Sequence, residues 1–579
     1  MEAFRQKLCG YLDFLYQDCS KDLLKKITDR IDLAKNRLSD IPPRAKLFGN
    51  QDNILITYPD QVQNKNQTSL NAQADFCNKK FRDTISAIHI LPFYPWSSDD
   101  GFSVIDYHEV CSDFGTWKDI KEYPFQMMFD AVFNHISSKS KWFKKFLQDD
   151  EHYQDFFIAF DEKPTDEIIA KVTRPRTHPL LTKYQTAKGE KWVWTTFSED
   201  QIDVNYQSPD LLYAMIDALL NYFEKGAQVI RIDAIPFFWK ELGTNCSHHP
   251  KTHALLKLFR LITDELEKNF LLISESNVPH KENISYFGNG HDEAHLVYNF
   301  SLPPLIIHSN IEGNAKTLYE WSQNVCAPSE ETTFFNITAT HDGLGVRPLE
   351  GLVPDKEISK IAEYAQIKGG KVNFKTDEKG NKKPYELNIT WTSMLLDNHL
   401  SLETNARKII SSHLASYAFP GIPGIYFHNF FATLNWEEGV KESGINRRIN
   451  RRKFTTQELE DNLSEVPLTR KVFKGLDHGL KMKNSTSAFD PTADKIDLLI
   501  DKRIWSFIRH NRITHQAVLV LYNVSNEAFS LKKILENLPE NYKKAEGISD
   551  ILDGTSCNIK ELPGLQMNAY QTRWLQFLL

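Results

Sequence analysis

Along this chain, ionisable residues stand at the ends of otherwise apolar, β-type runs. MMFDAVFNH carries Asp130, Asn134 and His135; AQVIRIDAI carries Arg231 and Asp233; FLLISES carries Glu275; FFNITATHD carries His341 and Asp342. A single Asp at a strand end is usually a turn former or a helix cap. Three carboxylates gathered on one rim are a different matter. They repel each other and lose hydration, a cost that persists mainly where chemistry uses it. The chemistry open to carboxyl groups in such a place is proton transfer and nucleophilic attack. RIDAI adds a further question: Arg231 and Asp233 are two residues apart, so in a strand both side chains face the same way, a charge pair inside an apolar run.

These groups meet only if the runs bearing them lie side by side. Eight short β-type runs recur at long intervals (NILITYP, ISAIHILPF, MMFDAVFNH, AQVIRIDAI, FLLISES, HLVYNFS, FFNITATHD, GIPGIYF), with helix-like stretches between them. Strands alternating with helices imply parallel pairing with helical crossovers. Eight such units predict an α/β fold, a closed (β/α)8 TIM barrel, whose reactive groups collect at the C-terminal strand ends. Two intervals are too long for one crossover helix, residues 136–200 after the third strand and 343–407 after the seventh, and both are expected to be insertions over the barrel mouth. Residues 1–48 read as a helical N-terminal extension ending at Pro42-Pro43, where a helix can hardly continue. The barrel is assigned to 49–484, and residues 485–579, with alternating pieces such as VLVLYNVS, to a C-terminal antiparallel β domain.

Composition narrows the function classes. With 579 residues, 41% of them apolar, there is material for a large core and more than one unit. The net charge of -7 provides no basic field for a nucleic-acid backbone. Charges interrupt the apolar residues of the first twenty positions, against a secretion signal, and no apolar run is long enough to cross a bilayer. Seven cysteines without a CxxC pair fit reduced thiols better than a disulfide framework, so a cytoplasmic location is expected.

DAVFNH, RIDAI, SESN and ATHD resemble, in order and spacing, the four short sequence blocks of the α-amylase superfamily of retaining glycoside hydrolases and transglycosylases. The finer pattern is similar to the sucrose phosphorylase branch: ILPFYPWSSDDGFSVIDYHEV, RPR, VWTTFSEDQIDVN, HDGLGVRPLEGLVP and GINRRINR have counterparts there. The resemblance spans about residues 50–480 and, more loosely, the C-terminal domain. It implies roles residue by residue. Asp233 matches the nucleophile that forms a covalent glucosyl ester, and Arg231 would keep that carboxylate ionised, which accounts for the charge pair. Glu275 matches the general acid and base, and retention requires it about 5 Å from the nucleophile. Asp342 matches the third carboxylate, with His341 and His135 as neighbouring hydrogen-bond donors to the sugar. Asp100 and Arg451 match a pair that closes the far end of a single-glucose pocket, and Phe197 and Gln201 match residues lining it.

The same resemblance implies phosphate as second substrate and no cofactor. Water at about 55 M exceeds cellular phosphate by roughly four powers of ten, so phosphorolysis needs a preference of about 5 to 6 kcal/mol. Arg176, in RPR, matches the phosphate-binding arginine of the branch, and a guanidinium fork suits phosphate oxygens; the alternative is a solvated basic turn. The chain departs from the sucrose enzymes at Thr173, where an aromatic residue is expected, and at Arg347 in GLGVRPLEG. An added arginine suits a small carboxylate acceptor such as glycerate, unless Arg347 pairs with Glu350 or Asp355. Glucosylglycerate therefore ranks first as the glucoside, then glucosylglycerol, then sucrose or its phosphate. A hydrolase or transglucosidase of the superfamily and a non-catalytic relative are the competing readings. No metal is assigned: Cys246, His248, His249 and His253, and His291 with His295, lack the spacing of a structural zinc site, and Asn134, a position reminiscent of amylase calcium sites, belongs to a branch that dispenses with the ion.

Overall fold

Eight short strands close into a parallel barrel in the computed structural model, which describes residues 2–17, 20–176, 178–376 and 382–578. They are β1 (Ile54–Thr57), β2 (Ala87–Ile90), β3 (Gln126–Ala131), β4 (Ala227–Ile232), β5 (Leu271–Ser274), β6 (Leu296–Tyr298), β7 (Thr333–Ile337) and β8 (Ile422–Tyr426). Each coincides with one of the eight apolar runs. Apart from Gln126 and Gln228 every strand residue is buried, as expected of parallel strands covered on both faces. Sequential neighbours pair around the ring, and β8 closes on β1 through Ile54 opposite Gly424. The register sets Arg231 of β4 beside Asp130 of β3 and Ile273 of β5. Three adjacent strands thus deliver their polar ends to one rim.

Both long intervals contribute to the cavity lining, the first through Arg176 and Phe197 and the second through Gly343, Tyr385 and Glu386. The first carries a three-stranded antiparallel sheet (Ala159–Phe160, Leu181–Thr186, Gly189–Trp194) and a short pairing of His135–Ser137 with Gln201–Asp203. The second carries helix Asp355–Ile367 and the hairpin strands Lys371–Thr376 and Lys382–Asn388. The Ser401 side chain accepts from the N–H of Thr404 and caps the crossover helix Leu402–Ala418, the usual work of a serine at that position.

Helices Glu2–Tyr16 and Lys21–Arg37 bury Leu8, Leu12, Leu15 and Ile27 against the crossover helices Pro250–Glu265 and Pro209–Glu224. Arg30 forks between Asp217 (2.5 Å) and Glu224 (2.6 Å) of the latter helix. At the other end of the chain a six-stranded antiparallel sheet has two apolar faces. Trp505, Phe507, Val518, Val520 and Trp574 join the main core, while Ile504, Ile508, Leu519, Leu521 and Leu575 form a separate cluster with Leu531, Ile534 and Leu562. The period-two alternation of a strand makes both faces from one set of residues. Among the described cysteines, Cys77, Cys111, Cys246, Cys326 and Cys557 are free thiols, but Cys9 is disulfide-bonded. Five of the described cysteines are thus reduced, as expected, and Cys9 departs from that expectation, because the number and spacing of cysteines do not say which sulfurs meet.

Candidate active site

The floor of the cavity is organised by one guanidinium. Arg231, 2% exposed, donates from Nη1 to Asp130 and to Asp233 Oδ1 (2.8 Å), while its Nη2 lies 3.7 Å from Glu275 Oε2. Beneath it Asp130 also meets His89 Nε2 (2.7 Å). Burial would raise the Asp130 carboxyl, yet Arg231 and His89 hold it below the ordinary aspartate value. A buried cation with carboxylates on several sides cannot reorient without exposing an unpaired charge, so the cluster is stiff. Just past β4 the chain turns at Ala234, which has a left-handed φ of 51°, and its N–H donates to Glu275 Oε2 (3.1 Å). A non-glycine residue held there marks a backbone constrained by its surroundings.

The three rim carboxyl groups differ in charge state because their neighbours differ. Burial lifts Glu275 to about 7; Arg231 opposes the rise, and the charges of Asp233 and Asp342 add to it. Burial also raises Asp233 above the ordinary aspartate value, against the pull of Arg231 and His135. Asp342 goes the other way. Burial opposes its ionisation, but Arg447 at 2.9 Å, His341 at 3.2 Å and Arg451 at 3.4 Å hold it well below the usual range. Carboxyls whose environments push their proton affinities apart are suited to acid and base work in one site.

Around them stand the other predicted residues. His135 Nε2 meets the Phe102 carbonyl (2.8 Å), and Gln201 Nε2 donates to the same oxygen (3.1 Å). Phe197 lies against the His135 ring at 5.1 Å. His341 stacks on Phe102 (5.1 Å, interplanar angle 2°), burial lowers it to about 3, and neither ring nitrogen makes a hydrogen bond among the described residues. Arg451 is fully buried, donating to Asp100 Oδ2 (2.8 Å) and to the His341 carbonyl (3.0 Å). The predicted Asp100–Arg451 pair is therefore joined, and Arg448 adds a second contact to Asp100 at 2.6 Å. The turn that makes this possible is tight: Asp99 and Asp100 both have φ 52°, and Gly101 has φ 107°, where an added Cβ would lie 2.5 Å from the Pro92 carbonyl oxygen. Only glycine fits such a position.

On the insertion side, Arg176 pairs with Asp99 Oδ2 (3.0 Å) and lies 5.5 Å from the centre of the Phe197 ring. Arg347 is not among the cavity-lining residues, nor is Thr173. Arg347 makes no ion pair among the described residues, and its charge bears on Tyr385, which does line the cavity, and on His248. The carboxylates considered for it are taken by lysines, Glu350 by Lys375 (2.6 Å) and Asp355 by Lys383 (2.8 Å).

Several lining residues escaped the sequence reading. Arg447 forks onto Glu386 (Nε to Oε1 3.0 Å, Nη2 to Oε2 2.5 Å) while touching Asp342. Asp99 joins Arg176 and Gln201. Arg447 lies in GINRRINR, from which only Arg451 was taken, and Asp99 adjoins Asp100, so both had a signal. Glu386, in a hairpin without a motif, had none. Asn134 Oδ1 accepts from the buried Lys240 Nζ (2.9 Å), which also pairs with Asp203 (3.0 Å), so an ammonium group occupies that oxygen. The histidine-rich loop is spread over different partners: His248 with Tyr286 (2.9 Å), His249 capping helix Pro250–Glu265, and His253 with Glu293 (2.8 Å). His291 meets Glu331 (3.2 Å), and His295 Nδ1 accepts from the Leu272 N–H (3.1 Å).

A parallel eight-stranded barrel with carboxyl groups at its strand ends is the architecture of α-amylase-type glycoside enzymes, and the family model for the alpha amylase catalytic domain matches residues 84–343. The glucosylglycerate phosphorylase of Escherichia coli is 43% identical over 492 residues, 84% of this chain and 87% of that protein. A sucrose phosphorylase of Streptococcus mutans is 30% identical over 450 residues, 76% of this chain and 88% of that one. Among solved structures, sucrose 6F-phosphate phosphorylase from Thermoanaerobacter thermosaccharolyticum shares the fold with a TM-score of 0.72 at 24% identity, covering 82% of this chain and 94% of its own. The chain belongs to the sucrose phosphorylase branch of the α-amylase superfamily and is an enzyme.

Proposed function

We propose that this enzyme is a retaining α-glucoside phosphorylase that moves glucose reversibly between phosphate and a small hydroxylated acid, with 2-O-α-glucosylglycerate as the preferred glucoside. In the first step Asp233 attacks the anomeric carbon while Glu275 gives its proton to the departing glycerate oxygen. In the second, Glu275 takes the proton of the incoming phosphate as its oxygen displaces Asp233, yielding α-glucose 1-phosphate. Two inversions at one carbon retain configuration. The observation that carries this reading is that one buried guanidinium, Arg231, holds Asp233 and Glu275 together while Glu275 stays protonated up to about 7.

The remaining groups act on the substrate. Asp342, kept ionised by Arg447 and Arg451, accepts hydrogen bonds from sugar hydroxyls as positive charge develops on the ring. His341, whose Nε2 lies 3.2 Å from Asp342 Oδ2, and His135 complete the set. Asp100 and Arg451 wall off the far end, and Phe197 and Gln201 form its side. Arg176 receives phosphate by exchanging Asp99 for phosphate oxygens, a swap between like partners. Arg347, without a carboxylate partner among the described residues, adds positive potential on the acceptor side. The identity of 43% to a glucosylglycerate phosphorylase against 30% to a sucrose phosphorylase supports glycerate over fructose. No described helix is long and apolar enough to cross a membrane, and a phosphate-consuming reaction on a small glucoside suits the cytoplasm.

The test is synthesis from α-glucose 1-phosphate with glycerate, glycerol, fructose and fructose 6-phosphate in parallel, reading phosphate release. Release fastest with glycerate is expected; release fastest with another acceptor reassigns the specificity. Incubating glucosylglycerate with and without phosphate separates the phosphorylase from a hydrolase, which makes glucose in both.

A further inference from the structure

Away from the cavity, His308 lies on helix Leu302–Glu312, between β6 and β7, and is 7% exposed. Neither of its ring nitrogens makes a hydrogen bond among the described residues. Nδ1 is buried without a partner, and Nε2 stands 3.7 Å from Glu357 Oε2, beyond hydrogen-bond range. That carboxylate oxygen is itself buried and unpartnered. Glu312 follows His308 at i, i+4, the spacing that places two side chains on one helix face. One donor atom from each of the three residues lies within 4.8 Å of the others, and all three line one surface cleft. A buried imidazole and a buried carboxylate oxygen facing each other unbonded are costly, and a cation between them satisfies both.

We propose that His308, Glu312 and Glu357 form a binding site for a divalent transition-metal cation of the zinc class, with water completing its shell. An imidazole nitrogen with two carboxylates suits that class, whereas magnesium and calcium prefer all-oxygen shells. Metal bonds of about 2.0 to 2.2 Å would draw the three donors closer than they now lie. The two glutamates supply the movement, since the side chains of Glu312 and Glu357 are each 30% exposed. Lys360, which pairs with Glu312, must leave it. The placement gives the ion a task. Glu357 sits in the first turn of helix Asp355–Ile367, directly after the loop 343–354 that carries Arg347. An ion shared with Leu302–Glu312 therefore fastens the second insertion to the barrel wall.

The full-length chain, stripped with EDTA and dialysed, is titrated with zinc sulfate by calorimetry and by thermal unfolding. One equivalent and a raised Tm are expected, with affinity at least tenfold weaker in His308→Ala and in Glu312→Gln, and no comparable response to magnesium. Glu312→Gln keeps the test decisive if removing the imidazole loosens the helix. Absence of saturable binding, unchanged affinity in both variants, or an equal response to magnesium would overturn the site; unchanged affinity would place the metal on another donor set, such as the histidines of NCSHHPKTH.

Discussion

The cavity floor and its rim are built on different principles. On the floor, Asp130, Arg231 and Asp233 are buried and Glu275 is 14% exposed; all four come from strand ends or the residue just beyond and are held by contacts with one another. On the rim, Arg176, Glu386 and Arg447 come from insertions and late loops, Arg176 pairing with Asp99 and Arg447 with Glu386, while Arg347 stands behind Tyr385 without an ion pair among the described residues. Strand register fixes the backbone of the first set, whereas insertions that carry partly exposed side chains such as Arg176 leave room for different acceptors. Under the proposed function, the contrast assigns the glucosyl step to the floor and the choice between phosphate, water and acceptor to the rim.

Substitutions can break or sharpen that division. The largest effect is expected at Asp233→Ala, which removes the nucleophile and should lower kcat by about 10⁴-fold or more with a Tm close to the parent's; substantial residual turnover would remove Asp233 from the mechanism. Next is Glu275→Gln, with a loss of about 10²- to 10⁴-fold. The pH profile sharpens this case. Glu275 must enter the first step protonated, so kcat/KM should fall as pH rises past about 7, and in the glutamine variant that alkaline limb should vanish. A limb that persists unchanged assigns the titration to another group.

Rim substitutions should act on partition rather than on the glucosyl step. Arg176→Ala removes a charge-assisted contact to phosphate worth about 1.5 to 3 kcal/mol, about 10- to 100-fold in rate, and should shift product from glucose 1-phosphate toward glucose. An unchanged product ratio places phosphate elsewhere. Smallest is Arg347→Ala, for which a rise of up to about 10-fold in KM for glycerate is expected with the hydrolytic rate intact, since a partly exposed charge is screened by solvent. A fall in the hydrolytic rate of equal size would erase the distinction between floor and rim.

The two regions also differ in how much of them a reader of the chain can see. The floor was legible: apolar runs ending in Asp233, Glu275 and Asp342 announce strands with chemistry at their tips, and the eight runs sufficed to predict the ring. Arg451 and Asp100, 351 residues apart, were paired through resemblance and not through any local pattern. The rim was legible only in part. Arg447 sits in a quoted stretch, but its fork onto Glu386 joins residues 61 positions apart whose local sequence signals neither bond.

By itself the sequence determined the alternation of buried strands and crossover helices, since burial on both faces demands continuous apolar runs, and it determined which ionisable residues stand at the strand ends. Which of those carboxyls keeps its proton was decided by the tertiary structure alone. Glu275 and Asp342 are both acidic side chains at strand ends, yet one is lifted to about 7 and the other held low. Proton affinity follows the distance to Arg231, Arg447 and Arg451 and the exclusion of water, and these exist only once the barrel has closed.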